Sequence, residues 1–446
     1  MNKTRPRAVA RTTQDPVLTE TSGEVFASGA MIELVRNSDA DQIKLAHWDG
    51  SSISICTRVD LDGRTFVPPA LHDSVLEIIN LPSNATDYGS TSALFDDLRR
   101  LFREHPSLSE EGVSKVAFCA LATWFPESTP PPLLVSAPNA SGSRLLREQL
   151  RCACRRSVII GDITRSGLWS LPLALRPTII IARPNPTKDL LRVLRTMSQP
   201  GVYVPQRGQL FDIFCPLVVS TEQPITDSWL LENSIQVELM ATATRFPRIP
   251  QQALREMSRD LQAKLLSYRF RNFVKVEQSD FDAPQLAFPT REIARTLGDC
   301  IVDDRELQSR VVPLLEEQDE DVRVRRTTTF EAVVIEAALL FCHEKRKREW
   351  AYVGEFATVA NAILEGRGEQ IKLEPRSVGD ILRSLGLFTR RLGCAGRGVL
   401  LVSEIRRKIH EIARRFAVRS LDDGADRCEF CTEARAQFGD SIRAGM

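Results

Sequence analysis

Between residues 133 and 219 short apolar runs alternate with helical segments, and this alternation restricts the possible folds more than any other feature of the chain. Leu133 to Ser136, Val158 to Ile160, Thr178 to Ile181 and Ile213 to Val219 read as strands; about Arg144 to Arg151, Leu168 to Leu173 and Lys188 to Met197 read as helices. Strands without a polar face must be covered on both sides, and strands joined through helices run parallel. The pattern therefore predicts an α/β domain around a buried parallel sheet, with Thr178–Ile181 pairing directly with Leu133–Ser136.

At 446 residues the chain is too long for one ordinary core, and the pattern divides it further. Residues 1–22 are polar and basic, a disordered tail. Residues 23–68 form a small β-rich element with turns at Trp48-Asp49-Gly50 and Asp62-Gly63. The α/β domain spans 69–247 and opens with a helix capped by Ser92 and a second apolar stretch from Val113 to Trp124. Residues 248–328 are a helical, lid-like region, and 329–419 a winged-helix-like α+β domain. In that last domain Pro375 suits the first turn of a third helix burying Val378, Ile381, Leu382 and Leu385. A hairpin follows, turning through Gly393 to Arg397. Residues 420–446 are a tail containing Cys428-x-x-Cys431.

The strand Leu133-Leu134-Val135 leads through Ala137-Pro138-Asn139-Ala140-Ser141-Gly142-Ser143-Arg144 into a Leu-rich helix. A phosphate-binding loop has this position and length, and holds phosphate with backbone amides, a lysine and a metal-binding hydroxyl. Here Ala137 stands for the first glycine, Ser143 for the lysine and Arg144 for the hydroxyl. A second apolar strand, Thr178–Ile181, ends in Ala182-Arg183 where a metal-binding Asp and a water-orienting Glu are required.

On the segments LLVSAPNASGSRLLREQL, SGLWSLPLALRPTIIIARP, LFDIFCPLVVSTEQP and LRSLGLFTRRLGCAGRGVLL, the chain resembles P-loop ATPases of the AAA+ type from bacterial genomes and mobile elements, distantly similar to the helicase half of phage-type primase-helicases. The resemblance covers roughly residues 65–432 and implies a P-loop NTPase-like fold with degenerate Walker A and Walker B motifs. It places Ser220 and Thr221 near a polar sensor position and Asn233 where an arginine would reach a neighbouring subunit's phosphate. Losing lysine, hydroxyl and both acids together removes the route to efficient hydrolysis. Arg144 could bend back toward a phosphate, so the loop retains a route to weak ATP binding; no cofactor is expected.

Overall charge is uninformative, with 59 basic against 58 acidic residues, but from Pro375 to Arg419 there are 11 Lys or Arg against 3 Asp or Glu. Arg376 and Arg383 on the third helix and Arg390, Arg391 and Arg397 on the hairpin are the expected contacts to duplex DNA. Cys428 and Cys431 are the only metal candidates. They lack a second pair, and His343 and His410 read as isolated, so no metal is expected. No apolar run approaches a membrane span and the first residues contain no signal-peptide core, so a cytoplasmic protein is expected. Three readings stay open: a non-hydrolysing ATPase-fold protein associated with DNA or a partner subunit, an active DNA-dependent ATPase with atypical residues, and an interaction module that joins copies of itself or an active homologue.

Overall fold

The computed structural model describes residues 17–37, 42–137, 140–164, 167–183, 185–206, 208–223, 225–241, 246–247, 249–344, 348–392, 396–416, 418 and 428–432. The chain divides into two compact units, residues 1–283 with 291–314 and residues 284–290 with 315–446.

The first unit begins with β1 (Val17–Glu20), β2 (Gly23–Val25), β3 (Met31–Asn37), β4 (Gln42–Trp48), β5 (Ile53–Cys56), β6 (Val59–Leu61) and β7 (Arg64–Val67). Consecutive hairpins join β2 to β5 in an antiparallel sheet, and β1, β7 and β6 form a second. Parallel pairing of β1 with β7 makes a strand of the end of the expected tail. Side chains alternate across β3. Ile32 and Leu34 pack with Leu45 and Phe66, and with Val158 and Leu175 of the α/β part. On the opposite face Glu33 is also buried. Its carboxylate accepts from Arg155 at 2.8 and 3.0 Å, from Arg156 at 2.5 Å and from Arg269 at 2.8 Å, and Arg269 also donates to Glu127 at 2.7 and 2.9 Å. This network ties the β-rich element into the core of the unit.

Next come α1 (Asp73–Ile78), α2 (Thr91–Arg103) and α3 (Glu110–Ala122). The cap of α2 is Ser90, whose hydroxyl accepts from the Ala93 amide, rather than Ser92.

The α/β part comprises β8 (Leu133–Ser136), α4 (Ala140–Ala153), β9 (Val158–Ile160), β10 (Ile179–Ala182), α5 (Lys188–Met197), β11 (Tyr203–Gln206), β12 (Gln209–Asp212), β13 (Leu217–Thr221), α6 (Ser228–Glu232) and β14 (Ile235–Glu238). Five of these strands form a parallel sheet in the order β14-β8-β13-β10-β9, and β11 and β12 make a separate hairpin. The expected direct pairing of β8 with β10 is not found, because β13 lies between them. Strand β13 starts at Leu217, later than Ile213, since Pro216 has no N–H for the ladder. The helix expected over 168–173 is two 3₁₀ turns, Gly167–Ser170 and Leu173–Leu175, flanking Pro172. Leu134, Ile179, Ile181, Leu217 and Val219 bury one face of the sheet against Leu190, Leu194 and Met197 of α5. The helices α7 (Gln251–Glu277; it packs along α4), α8 (Thr290–Asp299) and α9 (Arg305–Ser309) follow, and α10 (Val311–Thr327) belongs to the first unit up to residue 314 and to the second from residue 315.

The second unit contains α11 (Phe330–His343), β15 (Trp350–Tyr352), α12 (Val353–Gly366), α13 (Pro375–Ser384), β16 (Arg390–Arg391), β17 (Arg397–Leu400) and α14 (Ser403–Arg415). The strands form an antiparallel sheet in the order β15-β17-β16. Gly398 is required there, because a Cβ would lie 2.6 Å from the Ala351 carbonyl oxygen. Val333, Phe356, Val378, Leu382, Val399 and Ile409 share one core. Pro375 opens α13 as expected, and Val378 and Leu382 are buried. The hairpin tip, Gly393 to Ala395, lies outside the described residues.

Candidate functional site

The chain leaves β8 toward β9 at one edge of the sheet and leaves β13 toward β14 at the other, although β8 and β13 are neighbours. Crossovers of one hand then run on opposite faces, and a crevice forms between the carboxyl ends of the two strands, the place where open α/β sheets bind ligands. Ser136, Ala137 and the first turn of α4 stand on one side and Ser220 and Thr221 on the other.

In this segment Pro138 and Asn139 lie outside the described residues. The Ala137 N–H continues the ladder by donating to the Thr221 carbonyl at 2.8 Å. Ala140, Ser141, Gly142, Ser143 and Arg144 are helical, so α4 begins four residues before the expected Arg144. Contacts to β13 and to His105, in the segment after α2, hold that early first turn. The hydroxyls of Ser143 and Ser220 lie 2.6 Å apart, and Arg147, one turn later, donates to the Ser143 oxygen. His105 Nε2 donates to the Gly142 carbonyl at 2.9 Å, with Nδ1 accepting from the Ser107 amide at 3.3 Å. Burial lowers the His105 pKa, in keeping with a neutral ring. Ser143 and Ser220 are each 5% exposed, and at these strand ends their hydroxyls meet each other and the Arg147 guanidinium. Arg144 faces outward.

At the end of β10, Ala182 offers no ligand. The Arg183 amide donates to the Ser220 carbonyl at 3.1 Å, and its guanidinium pairs with Asp162 at 2.9 Å. Asn233 is the C-cap of α6, and its side-chain amide donates to the Trp229 carbonyl at 2.8 Å. That bond turns it back on its own helix rather than outward toward a neighbour. His105 and Arg147 were missed from the sequence. The i, i+4 spacing from Ser143 to Arg147 was a usable signal once helix began at Ala140, whereas His105 comes from a distant segment.

In the second unit Arg376, Arg383, Arg390, Arg391 and Arg397 are all exposed. Among the described residues, Arg383 is the one of the five in an ion pair, with Asp380 at 3.0 Å; Arg397 donates to the Thr389 hydroxyl at 3.1 Å and carbonyl at 3.0 Å. Burial pushes the thiol of Cys342 up to about 12. The histidines expected to be isolated are brought together: His343, His410, Cys428 and Cys431 place one ligand atom each within 4.8 Å of all the others. α11 carries His343 and α14 carries His410, 67 residues apart, so their approach had no local sequence signal.

No family model and no curated protein matches the chain. Among solved structures, the chain aligns with the apo C-terminal region of NrS-1 at 10% identity, covering 83% of this chain and 97% of that one, with a TM-score of 0.36. It also aligns with Drosophila ORC bound to DNA (12% identity, 78% and 96% coverage, TM-score 0.18) and with Cdc6p from Pyrobaculum aerophilum (9%, 78% and 99%, TM-score 0.17). Such loose overlaps carry no residue roles. The chain's own sheet, parallel and with a strand, short connection and helix at its switch point, is consistent with a P-loop NTPase-like fold. No described helix is long and apolar enough to cross a membrane.

Proposed function

We propose that this protein uses an AAA+-type ATPase scaffold without hydrolysing ATP, and that its second unit is a winged-helix-like module that binds duplex DNA. The observation that carries the first half is the Ser143–Ser220 contact, made where a phosphate loop keeps a lysine and an open cradle. Hydrolysis needs a metal ligand and a group to orient water, and the corresponding positions hold Ala182 and an Arg183 engaged with Asp162. Direct pairing of β8 with β10 lends the family reading no support, since it does not occur; the reading rests on the switch point and on what occupies it.

Arg147 favours a second outcome for the same site, an anion held without turnover. It is a half-buried cation directed at Ser143, and burial lowers its pKa. A phosphate that displaced the Ser143–Ser220 contact would meet this guanidinium.

The DNA half is supported by the exposed arginines of α13 and of the β16–β17 hairpin. A helix packed behind a basic hairpin can place the helix in a groove and the hairpin on phosphates. The test is fluorescence anisotropy of the full chain with a labelled duplex at several salt concentrations, beside a non-binding protein of similar charge. Salt-sensitive binding supports the reading. Absence of binding at low salt leaves an interaction module.

A further inference from the structure

We propose that His343, His410, Cys428 and Cys431 form a structural zinc site that fastens the C-terminal segment to the second unit. His343 Nε2 lies 3.1 Å from His410 Nε2, Cys428 Sγ 3.2 Å from His410 Nε2, and Cys431 Sγ 3.3 Å from His343 Nε2. A tetrahedral zinc ion bonded at about 2.0–2.1 Å to nitrogen and 2.3 Å to sulfur sets its donors roughly 3.3–3.8 Å apart. These three separations are a few tenths of an ångström shorter than that geometry sets, and all four atoms lie within 4.8 Å of one another, a cluster of about the right size.

The surroundings prepare these atoms as ligands. His410 Nδ1 lies 2.7 Å from the Arg406 carbonyl, which can only accept, so the proton sits on Nδ1 and the Nε2 lone pair points into the cluster. Both histidines are buried. The two cysteines lie on one short turn, residues 428–432, with the C-x-x-C spacing that lets both sulfurs reach one ion. Between them Phe430 packs against His410 at a tilt of 44° with ring centroids 5.3 Å apart, and the Arg407 guanidinium lies 5.8 Å from the Phe430 ring. Four protein ligands complete a tetrahedron and leave no position for water or substrate, so the ion is structural. Zinc is favoured over harder cations by two thiolates and two imidazoles.

The site explains how a segment of five described residues is held against the helices with little burial beyond Phe430. An ion would add to the contacts that Phe430 makes with His410 and Arg407 and to the weak thiol hydrogen bonds.

Elemental analysis of the full chain, purified under reducing conditions without chelator, should give one zinc per chain. Cys428→Ser and Cys431→Ser should each weaken zinc binding by more than the roughly 10–100-fold that loss of an outer-shell partner causes. Because Cys428 precedes and Cys431 lies within a short helical turn, residues 429–432, apart from α11 and α14, the variants should keep the far-ultraviolet spectrum of the parent. Cobalt loaded into the parent should show thiolate charge-transfer and tetrahedral ligand-field bands, absent in the double variant. Chelation should increase hydrogen exchange at residues 428–432. The proposal is overturned if the reduced chain neither retains nor tightly binds zinc, if zinc content survives the double substitution, or if Cys428 and Cys431 form a disulfide in the purified protein that reduction does not convert to a zinc-binding state.

Discussion

Replacing Glu33 by glutamine should destabilise the first unit more than its place in a peripheral sheet would imply. Its carboxylate faces Arg155, Arg156 and Arg269, each almost fully buried, and among the described residues Glu127 is the carboxylate left paired within this group after substitution. Breaking a buried ion pair by removing one partner costs about 3–5 kcal/mol. In a unit of roughly 300 residues, at about 2.1 cal/mol/K of unfolding entropy per residue, about 4 kcal/mol corresponds to a fall in Tm of roughly 6 °C. Differential scanning calorimetry of parent and E33Q measures it. Adding Arg155→Met to E33Q should recover part of the loss, since one uncompensated guanidinium disappears. Burial alone would raise the Glu33 carboxyl, but Arg155, Arg156 and Arg269 overcome it and hold it well below the usual carboxylate range. The stabilisation is therefore complete above the unfolded value near 4.5 and fades as pH falls below it, so parent and E33Q should converge only in acid. A Tm difference under about 1 °C at neutral pH would refute this account of the network.

Two further outcomes are expected. His105→Phe keeps a ring but loses two hydrogen bonds, a cost of about 1–2 kcal/mol, and should speed amide exchange in the first turn of α4. Because burial lowers the His105 pKa, that stabilisation is present above the unfolded value near 6.5 and is lost as pH falls toward the folded value; equal exchange in parent and variant at about pH 8 would contradict it. The triple substitution R390A/R391A/R397A should weaken duplex binding and reduce the slope of log affinity against log salt by about 3, and an unchanged slope would remove the hairpin from the interface.

The fold was legible where periodicity is a local consequence of burial. Lys188–Met197 and Pro375–Ser384 follow directly from apolar spacing and end signals, and the parallel sheet follows from apolar runs between helices. Strand order was not legible: β13 enters between β8 and β10 through a long-range pairing that no local pattern encodes. The loop at 137–144 shows the same division. Its missing lysine could be read directly, but the helical form of residues 140–144 is held by Ser220 and His105, 77 and 37 residues from their partners. Glu33 looked like an ordinary polar residue of a strand, and its three arginines lie 122 to 236 residues away. The histidines of the C-terminal cluster were likewise invisible as a pair until α11 and α14 packed together.

The proposed function requires that this chain does not turn over ATP. The most direct measurement is phosphate release by the purified full chain with ATP and magnesium, with and without duplex DNA, alongside Ser143→Ala. Release indistinguishable from the protein-free control is expected in every condition. DNA-stimulated turnover near about 1 per second, the lower end of ordinary enzyme rates, that Ser143→Ala abolishes would contradict it.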